Sequence, residues 1–291
     1  MENAKSASPT VEANRDSLEC VQGQINFARR TSDEKAPEVA PRSFPKMLIG
    51  HLHDPPPFFS YDVTIRNARP IVNRLSLDRE GFTLIQNRRS CVDKPHQETM
   101  CDRYLQEMVP FIKNRFNASW VVARREAVVC RSAAGGNSTP TVKEPIVLAH
   151  IDYAPTIGPL AAAAASQSQG VPIQSYSRLL IIQTWHALSP PPQDFPLAMC
   201  DNTSLYDTDI EVVDYTVFGN TIKMGIVHFN EAQRWYYFPE MTADELILFK
   251  SYDSEVRCNS KAAHSAFDNR RAHPGAKPRE SLEARFFVYY T

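Results

Sequence analysis

The feature that most constrains this chain is the way its apolar residues are parcelled. They fall in short runs rich in β-branched and aromatic residues: FFSYDVTI, GFTLIQN, WVVARREAVVCR, PIVLAHIDYA, YSRLLIIQTWHAL and SLEARFFVYY. Gly, Pro, Asn and Asp punctuate them. Runs of this kind read as strands, and many in succession build a sandwich or barrel rather than a βαβ repeat. IKMGIVHFN and RWYYFP read as a strand pair, and TADELILFKSYD as a short helix or a strand. One stretch has another period. In HQETMCDRYLQEMVPFIKNRF, residues Tyr104, Met108, Phe111 and Ile112 share one helix face.

Residues 1–40 are polar with few aromatics, so a mobile tail is expected there, followed by a single domain over 41–291. IGPLAAAAASQSQGVP is built of small residues; a short Ala helix is open, but a flexible excursion near the mouth of a site is the favoured reading. SPPPQDFPLAMCD reads as a rigid connection, because Pro fixes φ and removes backbone donors.

Charge excludes some functions. With 32 basic and 33 acidic residues the chain offers no basic excess, so nucleic acid is not an expected partner. No apolar run approaches the roughly 20 residues of a membrane span. The first residues lack the apolar centre of a secretory signal. The cysteines Cys20, Cys91, Cys101, Cys130, Cys200 and Cys258 form no C-x-x-C pair. Reduced thiols in a cytoplasmic protein are expected. Phosphate-binding glycine fingerprints and the G-x-S-x-G elbow are absent.

The chemistry concentrates in PIVLAHIDYAP. Residues two apart on a strand share a face, so His150 and Asp152 present a nitrogen and an oxygen side by side. A metal needs a third ligand, and His264 in KAAHSAFDN offers one. Two His and one carboxylate make the facial triad that leaves part of an Fe(II) ion open. Further on, Arg279 and Ser281 again share a strand face. A guanidinium fork and a hydroxyl suit a carboxylate. HLHDPPP, with His51, His53 and Asp54, imitates a metal motif but has no later partner.

This ordered set resembles the iron- and 2-oxoglutarate-dependent oxygenases. HIDYAP, PLAMCD, RWYYFPEMTADELILFKSYDS, HSAF and PRESLEAR together look like one branch of them, which holds fungal gibberellin desaturases, fungal hydroxylase/desaturases and a cephalosporin methoxylation protein. The resemblance runs from about residue 45 to the end. It implies a double-stranded β-helix, a cupin-like jelly roll with flanking helices. It also implies Fe(II) on His150, Asp152 and His264, dioxygen as cosubstrate, and 2-oxoglutarate held by Arg279 with Ser281. Arg285, of the same strand parity, is a second candidate for that carboxylate. Two departures stand out: QTWHAL has His186 where Arg is expected, and Gln233 replaces a His before RWYYF. They suggest altered substrate recognition.

Tyr153, Arg178, Gln183, Trp185 and His186 are the substrate-binding candidates. The expected activity is hydroxylation or desaturation of a small secondary-metabolite intermediate. Oxidative cyclisation of an amino-acid-like substrate, as in the aziridine-forming oxidases this branch resembles, is the alternative. A non-catalytic jelly-roll binding module and a zinc hydrolase remain as readings from other classes.

Overall fold

The computed structural model describes residues 15–30, 52, 56–87, 97–134, 142–217, 220–255, 257 and 261–291. In chain order the main elements are β1 (Cys20–Ala28), β2 (Phe58–Asn67), β3 (Phe82–Gln86), α1 (Gln97–Phe116), β4 (Trp120–Ala123) and β5 (Val129–Ser132). Then come β6 (Val142–Lys143), β7 (His150–Ile151), α2 (Gly158–Ser168), β8 (Arg178–Ala187), β9 (Leu197–Cys200) and β10 (Ile210–Val217). The chain closes with β11 (Asn220–Val227), β12 (Trp235–Tyr237), β13 (Glu245–Asp253), β14 (His264–Ala266) and β15 (Glu280–Tyr290).

Among the described residues the strands form two sheets. One has eight strands in the order β1-β2-β12-β9-β14-β7-β11-β10; the other runs β3-β13-β8-β15-β5-β6, with β4 also paired to β15. Their facing sides share a core: Phe82, Trp185, Ile247 and Phe249 from the second sheet pack with Leu197, Met199 and Tyr236 from the first. The expected mainly β, jelly-roll arrangement is what the sheets build.

Period-two alternation sets which residues reach the interior. On β15, Leu282, Ala284, Phe286 and Val288 pack outward against Tyr104, Met108 and Ile112 of α1. The intervening positions, led by Arg279, Ser281, Glu283 and Arg285, fall on the other face, towards the cleft between the sheets. On β8, Leu180 and Ile182 join the α1 side, whereas Leu179, Ile181 and Trp185 face inward. The α1 face follows the spacing read from sequence, and the helix stops at Asn117, whose φ of 48° is left-handed. Phe286 is wholly buried at this contact; truncating it would cost about 3–5 kcal/mol.

Six expectations need correction. The LAMC end of SPPPQDFPLAMCD is a strand, β9, and of PIVLAHIDYA only His150–Ile151 forms one, β7. The tail assigned to residues 1–40 gives way at Arg15–Arg30. β1 pairs with β2 from Cys20↔Arg66 to Ala28↔Phe58, and Arg15 bridges Glu80 at 2.6 Å and Asp201 at 2.8 Å. Ile25 and Phe27 anchor the strand by burial. The Ala-rich segment is helical, because Ala is the best helix former and nothing in the run opposes it. Pro159 stands in its first turn, and Gly170, with φ of 63°, follows its end. WVVARREAVVCR is two short strands, β4 and β5, split by a 3-10 turn at Arg125–Ala127. Finally, β12 does not pair with β11. It lies parallel to β2 and antiparallel to β9, whereas β11 pairs with β10 and β7. His51, His53, Asp54, Cys91 and Cys258 lie outside the described residues.

Candidate active site

His150 and His264 are direct cross-strand partners on β7 and β14, with ring centroids 4.3 Å apart. Asp152 follows β7 and turns its carboxylate to the same side. One ligand atom from each of the three lies within 4.8 Å of the others. The tautomers are set by the backbone. His150 Nδ1 lies 2.7 Å from the Leu148 carbonyl, and His264 Nδ1 lies 2.8 Å from the Ala262 carbonyl. A carbonyl oxygen only accepts, so each Nδ1 donates its proton and each Nε2 is turned towards the site. Burial, with His150 alongside, pushes the His264 imidazole down to about 4, so it is neutral at neutral pH. Burial opposes the Asp152 carboxylate, but Arg285 and the two imidazoles hold it well below the usual carboxylate range. Two imidazoles and one carboxylate, converging from three positions, fit a divalent metal.

Arg285 and Asp152 are paired tightly. Arg285 Nη2 donates to Asp152 Oδ2 at 2.6 Å and Nε to the same oxygen at 3.0 Å. Asp152 Oδ1 is left 3.3 Å from His150 Nε2. Behind this pair, Arg131 grips Glu283 with two bonds of 2.9 and 3.1 Å. Burial works against the Glu283 carboxylate, but Arg131 and Arg285 draw it down to about 2. A chain of alternating charge, Arg131–Glu283–Arg285–Asp152, thus runs from β5 across β15 to the triad.

Arg279 and Ser281 lie further along the same face. Both are buried. Arg279 Nη1 donates to the Phe195 carbonyl at 2.9 Å, while its Nε and the Ser281 hydroxyl have no hydrogen-bond partner. Among the described residues Arg279 makes no ion pair. Burial, with Arg131 nearby, pushes it down to about 9, still a cation at neutral pH. A buried guanidinium without a carboxylate is costly unless an anion completes it. Trp185 backs it, the guanidinium lying 5.4 Å from the ring centre. A narrow cavity is lined by Arg279 and Trp185 together with His150 and His264. The free Arg279 Nε and Ser281 hydroxyl are donors suited to a carboxylate.

A larger cavity of about 320 Å³ opens on the other side of the triad. That is the size of a small-molecule site. His150, Asp152 and Tyr153 form its floor with Arg285, and α2 contributes Leu160, Ala161 and Ala164 to its wall. The Ala-rich segment thus lines this cavity, as a helix rather than a flexible excursion. Burial raises the Tyr153 hydroxyl to about 12, so it stays protonated.

The structure brings together His150, Asp152, His264, Arg279, Ser281, Arg285, Tyr153 and Trp185. Arg285 contacts Asp152 and Glu283 rather than standing open for a cosubstrate. Trp185 lines the narrow cavity, not the large one. Three substrate candidates are elsewhere. His186 has the opposite parity and packs edge-on against Tyr104 of α1, with centroids 5.5 Å apart. Gln183 faces inward but donates to Ser251 Oγ at 2.5 Å. Arg178 grips Asp253 with bonds of 2.9 and 2.6 Å. Neither Gln183 nor Arg178 lines a cavity near the triad. Sequence reading missed Glu283 and Arg131. The parity that selected Arg279, Ser281 and Arg285 also selects Glu283; nothing local marked Arg131.

Comparison with known proteins agrees with this geometry. The family described as "Oxidoreductase/YMDC permease-like domain" matches residues 25–289. Hydroxylase/desaturase efuI of Hormonema carpetanum is 27% identical over 250 residues, covering 78% of this chain and 83% of that protein. The Fe(II)/2-oxoglutarate-dependent dioxygenase nvfI of Aspergillus novofumigatus is 27% identical over 244 residues, covering 79% and 83%. Among solved structures, the iron and alpha-ketoglutarate-dependent endoperoxidase NvfI superposes with a TM-score of 0.73 at 22% identity, covering 93% of this chain and 98% of that one. That likeness fixes the fold as the jelly roll expected from sequence. By its match over nearly the whole chain, the protein belongs to the oxidoreductase/YMDC permease-like family.

Proposed function

We propose that the chain is an Fe(II)/2-oxoglutarate-dependent dioxygenase that hydroxylates or desaturates a small secondary-metabolite intermediate. The observation that carries the reading is one juxtaposition. A convergent His150, Asp152 and His264 set lies along one narrow cavity from a buried Arg279 whose Nε lacks a partner. A hydrolase has no use for the second feature, and a binding module has no use for the first. The printed activities of efuI and nvfI support the same class.

His150, Asp152 and His264 would hold the metal through two Nε2 atoms and Oδ1. Arg279 and Ser281 would take the far carboxylate of 2-oxoglutarate against Trp185. Arg285 fixes the orientation of Asp152. Tyr153 and the α2 wall exclude water around the substrate. When bound, Fe(II) with 2-oxoglutarate and dioxygen supplies the oxidant for an unactivated C–H bond, the cosubstrate leaving as succinate and CO2.

The substrate is a small molecule, by the size of the cavity. No described helix is long and apolar enough to cross a membrane. Cys20, Cys101, Cys130 and Cys200 are free thiols, which supports the reducing cytoplasm as the working compartment.

Incubation with Fe(II), 2-oxoglutarate and oxygen-18 dioxygen tests the class. Succinate carrying label from dioxygen is expected. Iron-loaded protein that forms no succinate, or only unlabelled succinate, contradicts the proposal.

A further inference from the structure

The large cavity has two kinds of wall. The apolar one comes from α2 and β11, with Leu160, Ala161 and Ala164 facing Ile222 and Met224 across the same space. The other is cationic. Arg124, Arg131, Lys143 and Arg285 line the cavity with two carboxylates, Glu126 and Asp152, and Glu283 pairs with Arg131 and Arg285 beside it, which leaves an excess of 4 − 3 = 1 positive charge. Arg131 and Arg285 belong to the charge chain that ends at the triad. Arg124 does not. It forms a long ion pair with Glu126 at 3.9 Å, while its buried Nε makes no hydrogen bond.

Arg124 and Lys143 both line the cavity, from two different parts of the chain. Arg124 follows β4 at the start of the 3-10 turn. Lys143 on β6 is the register partner of Arg131 on β5. Burial, and then Arg131 and Arg285, lower the Lys143 ammonium, so an added anion would be stabilised there. Surface lysines and arginines gather no such penalty. The chain concentrates positive charge beside an apolar wall and within the cavity that reaches the triad.

We infer that the substrate is an amphipathic carboxylate, whose anionic end is held by Arg124 and Lys143 and whose apolar body lies along α2 in the cavity beside His150 and Asp152. This deepens the dioxygenase reading and rests on it. The guanidinium fork suits a planar carboxylate. Glu126 on the same wall disfavours a second negative charge, so a carboxylate is preferred to a phosphate dianion. Anchoring the anion away from the metal also leaves the hydrocarbon part of the substrate to approach the reacting position.

The probes are decanoate, decanol and decyl phosphate, titrated by calorimetry into the full chain under anaerobic conditions with Fe(II) and saturating 2-oxoglutarate. The 2-oxoglutarate keeps Arg279 occupied. Decanoate is expected to bind about tenfold or more tightly than decanol. In the Arg124→Gln, Lys143→Gln double variant that advantage is expected to vanish, while decanol affinity stays as in the wild type. Equal binding of decanoate and decanol by the wild-type protein, or no binding of decanoate, overturns the inference without relying on any variant. Tighter binding of decyl phosphate overturns the carboxylate assignment. Failure of the iron–2-oxoglutarate complex to form is a separate result, seen before any probe is added, and it strikes the dioxygenase reading instead.

Discussion

Arg285 spends two donors on a single oxygen of Asp152, Nη2 at 2.6 Å and Nε at 3.0 Å from Oδ2. The other oxygen is thereby left facing the two imidazoles. A carboxylate held this way can give a metal one oxygen in a fixed direction. It cannot swing to chelate with both. Groups that orient a ligand commonly matter nearly as much as the ligand itself.

Replacing Arg285 with Gln should therefore weaken Fe(II) binding about tenfold, by the usual worth of a ligand-orienting partner. The measurement is an anaerobic metal titration. Because Glu283 also loses a neighbour 3.3 Å away, a melting curve should accompany it. Unchanged metal affinity in a folded Arg285→Gln protein would remove the orienting role.

In the proposed function Arg279 takes the far carboxylate of 2-oxoglutarate. Arg279→Ala should raise the dissociation constant for 2-oxoglutarate about a hundredfold, since a charge-assisted, desolvated pair is lost. Ser281→Ala should raise it only a few-fold, in keeping with one neutral donor. Fe(II) affinity should not change in either variant. A titration of 2-oxoglutarate into the iron-loaded protein reads both effects.

Gly158 opens α2 against the ring of Tyr252. A Cβ built there would meet ring carbons at 2.4 to 2.6 Å. Ala normally favours a helix over Gly by about 1 kcal/mol. Here the clash reverses the sign, and Gly158→Ala should destabilise the protein by about 1–3 kcal/mol. Chemical denaturation checks it. A more stable variant would mean that α2 can shift off Tyr252.

Asp253 gives a pH dependence with a definite sign. Burial would raise its carboxyl, but hydrogen bonds from Arg178 and Lys250 overcome that and hold it below the ordinary aspartate range. The group is thus bound more tightly in its charged form when folded. Its stabilisation is fully present above about pH 4, the unfolded range, and is lost as pH falls through the lower folded value. Asp253→Asn should be less stable at neutral pH, because Lys250 is left buried and short of a partner. It should also lose less stability than the wild type on acidification below about pH 4. Parallel losses in the two proteins would contradict this.

The grouping of His150 with Asp152 was legible because its signal is local. Asp152 lies just past the end of β7, two residues from His150, and Ser281 and Arg285 share a face of β15, with Arg279 just before it. The same period separates Trp185 from His186, so a candidate set holding both could not all face the cleft. Other features depend on partners far away in the chain. β1 becomes a strand because Gln24 meets Asp62 and its neighbours follow in register; its own composition reads as a tail. β12 pairs with β2 and β9 rather than with the strand nearest in sequence. Arg131 takes its place in the charge chain only when β5 lies beside β15. Short runs announce strands, but their order within a sheet is set by long-range packing.

The most direct test of the central claim is anaerobic difference absorption as Fe(II) and then 2-oxoglutarate are added to the protein. The account predicts a weak visible charge-transfer band that needs both additions, persists in His186→Ala and is absent in His264→Ala. No band in the wild-type protein, or an undiminished band without the His264 imidazole, would contradict iron binding by His150, Asp152 and His264.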